Sequence, residues 1–430
     1  MLLSSVVEEA RIQSIKEDSD DIGNWGEYLI SPRTEEEISA ILKYAHEQSL
    51  SVIPVGGGTK RGFGGTEEKA DILLSLADYK GVVEYSEGDM TLTVRAGTTM
   101  QELSEYLGKH QQMLPLDPMW PSHATIGGVI AANDSGAKRL RYGSARDLVI
   151  GTRLVYPDGK VLRTGGKVVK NVAGYDMNKL FIGSMGTLAV LTEITLKLRP
   201  VPKYESLVIL HLPQVQNVLP FAISLLDSMI EPVSLEVLSP STNFLLNGKE
   251  QYALAIAFED VEKAVHYQED WVHTHKPENA VIDHIDQEDA RNWWRRFSEL
   301  APAVIPGTDI DSRIALKIGS KNLDALDLLV SCHELGEKLG VQVEAHGGLG
   351  HGIAKAYVGG GDLAKYAGFI DQLRASEKAA YVIIQHAPLA VRRELDVWGK
   401  RPPYFALLEG IKKAIDPKRI LNPSRFVGGI

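Results

Sequence analysis

The sequence predicts an α+β protein of two unequal units, and three observations carry that reading. Two glycine-rich clusters, roughly 70 residues apart, interrupt an alternation of strands and helices in the first half. The segment RPVPKY, residues 199–204, carries two prolines and marks a boundary. Beyond it, adjacent strands recur between amphipathic helices, the pattern of an antiparallel sheet with helices packed on one side. The expected organisation is a weakly structured lead-in over residues 1–25, a first domain over 26–202 and a second over 203–430.

Each element has a local reason. Thr34 is a good N-cap, Glu35 to Glu37 complement the positive helix end, and Ile38, Ile41, Leu42 and Ala45 repeat at helical spacing. Ser51 to Val55 reads as a short buried strand with Pro54 near its end. DILLSL and MTLTVRAG read as strands, and TTMQELSEYLGKH as a helix capped by Thr98 or Thr99. In TLAVLTEITLKL, residues 187–198, Leu188, Val190, Ile194, Leu196 and Leu198 share one face and Glu193 and Lys197 the other, as in a half-buried strand. After the boundary, strands are expected near 205–211, 233–238, 252–258, 312–319, 341–345, 352–358 and 380–387. Helices are expected near 214–228, 260–274, 321–338 and 362–376.

Composition narrows the function. The 430 residues are 44% apolar and 24% charged, ordinary for a globular chain with a sizeable core. A formal net charge of -10 argues against nucleic-acid binding, which draws its affinity from Lys and Arg. No apolar run approaches a membrane span. The N-terminus lacks a basic region followed by a long apolar one, so a cytoplasmic chain without a secretory leader is expected, membrane-associated only through partner subunits. Cys332 is the single cysteine, which excludes an internal disulfide framework and an iron–sulfur cluster held by this chain alone.

The stretch VIPVGGGTKRGFGG, residues 52–65, places six glycines within ten residues directly after a strand. Such a loop offers a concave row of amide N–H groups suited to phosphate or pyrophosphate. It is neither a P-loop, because Phe63 follows Gly62 where a lysine is needed, nor a Rossmann fingerprint, because Arg61 occupies the third glycine position. The second cluster, ATIGGVIAANDSGAKRLRYGSARDLVIG, residues 124–151, puts small residues at Ala124, Gly127, Gly128, Ala131 and Ala132, leaving room for something flat and large against the backbone. Together the clusters suggest one extended ligand gripped at both ends.

These two clusters resemble the FAD-binding domain of the vanillyl-alcohol oxidase, or p-cresol methylhydroxylase, type. GGKVVKNVAGYDMNKLFIGSMGTLAVLTEITLKLRPVP and the tail DVWGKRPPYFALLEGIKKAIDPKRILNPSRFVGGI look like the FAD-binding subunits of bacterial glycolate oxidase. The resemblance implies an FAD-binding domain of two α+β subdomains followed by an antiparallel-sheet α+β cap domain. It implies that Gly56, Gly57, Gly58 and Thr59 face the FAD diphosphate. It assigns flavin contact to Pro118, Thr125, Gly127, Gly128, Asn133, Ser135, Gly136, Tyr142 and Gly143, to Gly186, Thr187 and Val190 beside them, and to Asn422, with Arg425 near it, in the tail. Some family members attach FAD through His or Cys. The 51–65 loop has neither and His123 is the one nearby candidate, so dissociable FAD is expected.

The implied activity is oxidation of a small 2-hydroxy acid such as glycolate or D-lactate, with hydride passing from the α-carbon to flavin N5. The electrons would leave through a separate iron–sulfur subunit, and a second flavin subunit is a further implied partner. The alternative is an accessory or assembly subunit that holds FAD without a competent substrate site; a direct oxidase is a third reading. Such chemistry needs a base, often His, and a cation for the substrate carboxylate. EAHGGLGHGIAKAYV offers His346 and His351 around a glycine turn between strands, as base or as metal ligands. Metal-using relatives read His-Ala-Gly-Asp-Gly-Asn-Leu-His here, so the missing acid puts a metal in doubt, and two surface histidines on a hairpin turn are the simpler expectation. Lys170 and Tyr175, with Asp176, form a second candidate group. RNWWRRF, Arg291 to Phe297, reads as a helix with Trp293 or Trp294 inward.

Overall fold

A computed structural model describes residues 7–15, 21–167 and 175–430. The chain is an α+β protein, and among the described residues the first domain holds two main sheets. One has four strands in the order Ile12–Ser14, Trp25–Ile30, Lys69–Ser75 and Val52–Val55. The other has five, in the order Val82–Ser86, Thr91–Arg95, Val190–Lys197, Val149–Val155 and Val161–Gly165. Helix Glu35–Gln48 starts at Thr34 with a reciprocal cap: the Glu37 N–H donates to Thr34 Oγ1 and the Thr34 N–H donates to the Glu37 carboxylate. Thr99 plays the same role with Glu102 at the head of helix Met100–Gly108. Ile38, Ile41, Leu42 and Ala45 are fully buried, as their spacing requires.

The lead-in is more ordered than expected where it is described. Ile12–Ser14 pairs antiparallel with Trp25–Ile30, and the Arg11 guanidinium donates to both Glu37 oxygens at 2.8 and 2.6 Å. A bidentate, charge-assisted pair of this kind can hold a short edge strand that has little apolar periodicity of its own.

The second domain is built on an antiparallel sheet of eight strands among the described residues. Their order is Val281–Asp286, Tyr204–Leu212, Tyr252–Asp260, Ser234–Leu238, Gln342–Gly348, Ile353–Gly359, Ile314–Gly319 and Tyr381–His386. Alternation along Tyr204–Leu212 sends Val208 and Leu210 to one face and Leu207 and Ile209 to the other. The first face is covered by the four helices Val218–Leu226, Glu262–His275, Ala325–Leu339 and Leu363–Arg374. The opposite face also receives a helix, Gln287–Ser298, because Ala290, Trp293 and Phe297 recur at helical spacing and bury there, while Trp293 Nε1 donates to Asn247 Oδ1 at 2.8 Å. That same face turns toward the first domain. Strand Val281–Asp286 is absent from the sequence-based expectation, since VIDHID at a half-exposed edge carries too little apolar signal.

The tail then returns to the first domain. Val52 N–H donates to Ile420 O at 2.8 Å and Asn422 N–H to Val52 O at 2.9 Å, so the tail adds in parallel beside Val52–Val55. Ile420 and Leu421 join the first domain's core. Lys412, on helix Phe405–Ile415, is fully buried; its Nζ donates to Asp416 Oδ2 (2.7 Å), Thr187 O (2.7 Å) and Leu421 O (3.0 Å). Asp416 in turn accepts from the Ile420 and Leu421 N–H groups. Removing one member of a buried ion pair strands the other charge and costs about 3–5 kcal/mol. Lys412→Met is therefore expected to lower stability by that amount in urea unfolding and to release the tail to proteolysis. A loss under about 1 kcal/mol would show that the latch is dispensable.

Candidate functional site

The glycine loop packs edge-on against the second cluster. A Cβ on Gly56 would lie 2.0 Å from Thr125 Oγ1, and one on Gly57 would lie 1.7 Å from the His123 carbonyl oxygen. Gly58 has φ +78°, which a side chain disfavours. Thr125 caps helix Ile126–Ala132, and Gly127 presses that helix onto Ala96, where a Cβ would meet Ala96 Cβ at 2.7 Å. The result is a long cleft whose floor is Pro54 to Arg61 and whose walls are Ala124, Thr125, Gly128, Ala131, Ala132, Met185, Asn422 and Arg425. It runs on past Gly127, Gly186 and Val190.

The cleft suits a flat dinucleotide. Its backbone is bare where a ligand would lie close, and Gly128 opens directly into it: a Cβ there meets only Thr125 Oγ1, at 3.4 Å. Asn422 donates from Nδ2 to Met185 O at 2.7 Å and leaves its buried Oδ1 without a partner. Arg425 donates to Lys60 O at 2.6 Å and has an unpartnered Nε. Burial, with the neighbouring Arg392 and Arg61 charges, pushes the Arg425 guanidinium down to about 9, so a buried positive charge persists at neutral pH and favours an anion nearby.

Of the residues assigned to flavin contact by resemblance, Gly56, Gly57, Gly58, Thr59, Thr125, Gly127, Gly128, Gly186, Val190 and Asn422 line this cleft. The others sit beside it in structural roles. Pro118 lines a separate hollow against helix Gln287–Ser298. Asn133 ends helix Ile126–Ala132 in the left-handed conformation. Ser135 accepts from Arg139 at 3.2 Å. Gly136 donates to Asp117 at 3.1 Å. Tyr142 donates to Glu259 Oε2 at 2.7 Å, across the domain boundary. Gly143 turns with φ +79° against Asp147, and Thr187 supplies the carbonyl held by Lys412.

A second constellation lies on the sheet face turned toward this cleft. His346 and His351 are not on the surface as expected. His346 is 5% exposed, and the His351 side chain is partly buried, at 12%. Both face Glu236, itself 2% exposed, which strand Ser234–Leu238 brings alongside Gln342–Gly348. His346 Nδ1–H donates to Glu236 Oε2 at 3.0 Å, and the Tyr357 hydroxyl donates to His346 Nε2 at 3.1 Å, the arrangement of a neutral imidazole. His351 Nε2 lies 3.3 Å from the other Glu236 oxygen without hydrogen-bond alignment. A side chain at Gly348 would collide with the His351 ring, so that glycine admits it. Burial alone would raise Glu236; the two histidines outweigh it and hold the carboxyl down to about 2. Burial lowers His346, against the opposing pull of Glu236.

Next to His346, Lys355 pairs in register with it and with Lys317 on the following strand. Lys355 Nζ lies 3.9 Å from Asp134, and Lys60 Nζ, on the glycine loop, lies 2.8 Å from the same carboxylate. Asp134 would be raised by burial, but these ammonium charges hold it well below the usual carboxylate range. Lys317 is pushed down to about 8 by burial. The polar row of the sheet is thus continuous with the cleft through Asp134 and Lys60. Sequence reading finds the histidines but misses Glu236, Lys317, Lys355 and Asp134, which come from separate segments. Lys170 lies outside the described residues. Tyr175 is 92% exposed and outside this cluster, and Asp176 accepts from Asn178 at 3.0 Å.

Cleft and fold together define a flavoprotein architecture. Residues 26–165 match the family described as FAD binding domain. The p-cresol methylhydroxylase structure with substrate bound superimposes with a TM-score of 0.76 over 98% of this chain and 95% of that one, at 14% identity, so the two share a fold. Among curated relatives, the chain is 36% identical to the mitochondrial D-lactate dehydrogenase [cytochrome] of Arabidopsis thaliana over 50% of its own length and 38% of that protein. It is 33% identical to glycolate oxidase subunit GlcD of Bacillus subtilis over 52% of its length and 47% of GlcD. These two matches span less than half of each relative. The D-lactate dehydrogenase of Archaeoglobus fulgidus aligns over 93% of this chain and 91% of its own length at 26% identity.

Two outcomes are expected. Gly128→Leu should fold normally, because its Cβ meets no backbone and leucine suits a helix, yet come off purification colourless. A yellow, FAD-saturated variant would place the ligand elsewhere. For Glu236, the folded pKa is below its ordinary 4.5, so its stabilising contribution is complete above about 4.5 and disappears as pH falls toward 2. The stability gap between wild type and Glu236→Gln should narrow from pH 5 to pH 3; a constant gap would mean the carboxylate's charge is immaterial.

Proposed function

We propose that the chain is an FAD-dependent oxidoreductase acting on a small 2-hydroxy acid, glycolate or D-lactate, as the flavin-bearing part of an assembly that includes an iron–sulfur partner. The observation that carries the reading is the row Glu236–His346–Tyr357 flanked by Lys355 and Lys317, facing Asp134 and Lys60 at the end of the FAD cleft. When bound, FAD supplies an acceptor for the hydride that leaves the substrate's α-carbon. The protein's own residues do the rest. Lys355 and Lys317 offer the substrate carboxylate two cations in an enclosed, low-dielectric face, where a charge contact is stronger than in water. His346, held neutral and oriented by Glu236, supplies a ring nitrogen for the hydroxyl proton once Tyr357 yields Nε2. The helices and the Trp293–Phe297 layer behind this row exclude water from it.

FAD is proposed to be held without a covalent bond. The loop Ser51 to Gly65 has no His or Cys, and the His123 ring is engaged with Ser122 Oγ at 2.9 Å. Partner subunits for electron transfer rest on the likeness to GlcD and on the single, buried Cys332, which leaves this chain without ligands for a cluster. One observation favours the second reading, an accessory subunit without a competent site: both nitrogens of His346 are already hydrogen-bonded.

Anaerobic mixing of the purified holoprotein with D-lactate and with glycolate separates the readings. Bleaching of the flavin band by the chain alone is expected, and His346→Ala is expected to slow it about 10²–10⁴-fold. Lys355→Met should mainly raise the substrate concentration needed. Bleaching only after partner subunits are added would establish the accessory reading instead. Acid precipitation of the same preparation should leave the yellow colour in the supernatant.

A further inference from the structure

On the sheet's outer edge, far along the strand order from His346, four metal-capable side chains converge. Strand Val281–Asp286 is the edge strand, and its period of two puts His284 and Asp286 on one face. Helix Glu262–His275 packs beside it and presents His266 and Glu269, three residues apart, on one face. His284 Nε2 lies 2.6 Å from Glu269 Oε1 and 3.3 Å from Asp286 Oδ1. A donor atom from each of Glu269, His284 and Asp286 falls within 4.8 Å of the others. His266 Nδ1 lies 2.8 Å from the remaining Glu269 oxygen.

We propose that Glu269, His284 and Asp286 form a binding site for a divalent first-row transition ion, Zn²⁺ being the best fit, separate from the FAD cleft and from the His346 row. Nitrogen and oxygen ligands at about 2.0–2.2 Å from a tetrahedral Zn²⁺ stand roughly 3.4 Å apart. The His284–Asp286 separation is already close to that value. The His284–Glu269 contact must open by under about 1 Å, as it would when a metal ion replaces the proton between them. Asp286 Oδ1 has no hydrogen-bond partner, which leaves it available as a donor. Glu269 is almost fully buried, whereas His284 and Asp286 are 35% and 42% exposed, so the ion has an entry path and a solvent-side position for water. His266 acts on Glu269 from outside the ligand set, fixing which carboxylate oxygen turns inward. One imidazole with two carboxylates favours Zn²⁺ over Mg²⁺, which prefers oxygen ligands alone and keeps its water.

Calorimetric titration of the FAD-loaded protein with Zn²⁺ at pH 7.5 tests this, with Mg²⁺ as the control ion and His346→Ala as the control for the other histidine pair. One equivalent is expected to bind at micromolar strength or better, unchanged in His346→Ala, and to weaken at least tenfold in His284→Ala and in the near-isosteric Asp286→Asn. His266→Ala should lose about 10- to 100-fold, as an outer partner does. Zn²⁺ binding that survives both His284→Ala and Asp286→Asn, or is lost in His346→Ala, overturns the proposal, as does the absence of any saturable binding. Circular dichroism of each variant shows whether a loss reflects the ligand or the fold.

Discussion

The structure depends on a short backbone pairing between the strand Val52–Val55 and the segment at residues 420–422. Val52 exchanges hydrogen bonds with Ile420 and Asn422, and this contact places the tail beside the strand that feeds the glycine loop. Without it, Asn422 and Arg425 would not reach the cleft, where they donate to Met185 O and Lys60 O. The buried Lys412 Nζ satisfies this arrangement chemically, since its three acceptors come from the tail helix, the tail strand and the Thr187 turn. A buried ammonium with three acceptors specifies one docking geometry, because any displacement leaves a charge unpaired in the interior.

That geometry makes the glycines meaningful. Gly56 and Gly57 are bare because Thr125 and His123 press on them, whereas Gly128 is bare on the side that opens to the cleft. The same residue type therefore serves packing at some positions and access at others, and a count of glycines does not separate the two. Sequence reasoning puts Gly56 to Thr59, Thr125, Gly127 and Gly128 along one ligand path because both clusters are local, each lying at the end of a strand or the start of a helix. Gly136, Tyr142 and Gly143 belong to the same stretch of sequence yet turn to Asp117, Glu259 and Asp147.

Most strands and helices of the second domain are legible for a similar reason, since their apolar periodicity survives burial on the sheet. The exceptions have physical causes. Strand Val281–Asp286 is an edge whose alternating positions are His and Asp, so hydropathy hides it. Ile12–Ser14 is held by a guanidinium–carboxylate pair to a distant helix rather than by its own pattern. The acid that faces His346 and His351 lies outside their own hairpin, on Ser234–Leu238, and Glu236 precedes His346 by 110 residues along the chain. No local motif can announce a carboxylate supplied by a neighbouring strand.

Two charged groupings at the domain boundary show how balance separates scaffold from site. Lys138, Tyr142 and Glu259 form a closed set in which the carboxylate meets one ammonium and one hydroxyl, and nothing in it calls for a ligand. Around Asp134 the count differs. Lys60, Lys355, Lys317 and Arg139 act on a region that holds Asp134 and Glu236 as its carboxylates, with Asp117 also acting on Lys355, and Glu236 is already engaged by His346. Burial is the main cause that lowers Lys317 and Lys355; Asp134 opposes it for both, while Lys60 adds to it for both, and Lys355 and Arg139 add to it for Lys317. A region with surplus enclosed positive charge is destabilised until an anion enters, and the cost is recovered on binding. An anion drawn there would lie beside His346, because the strand register pairs that residue with Lys355.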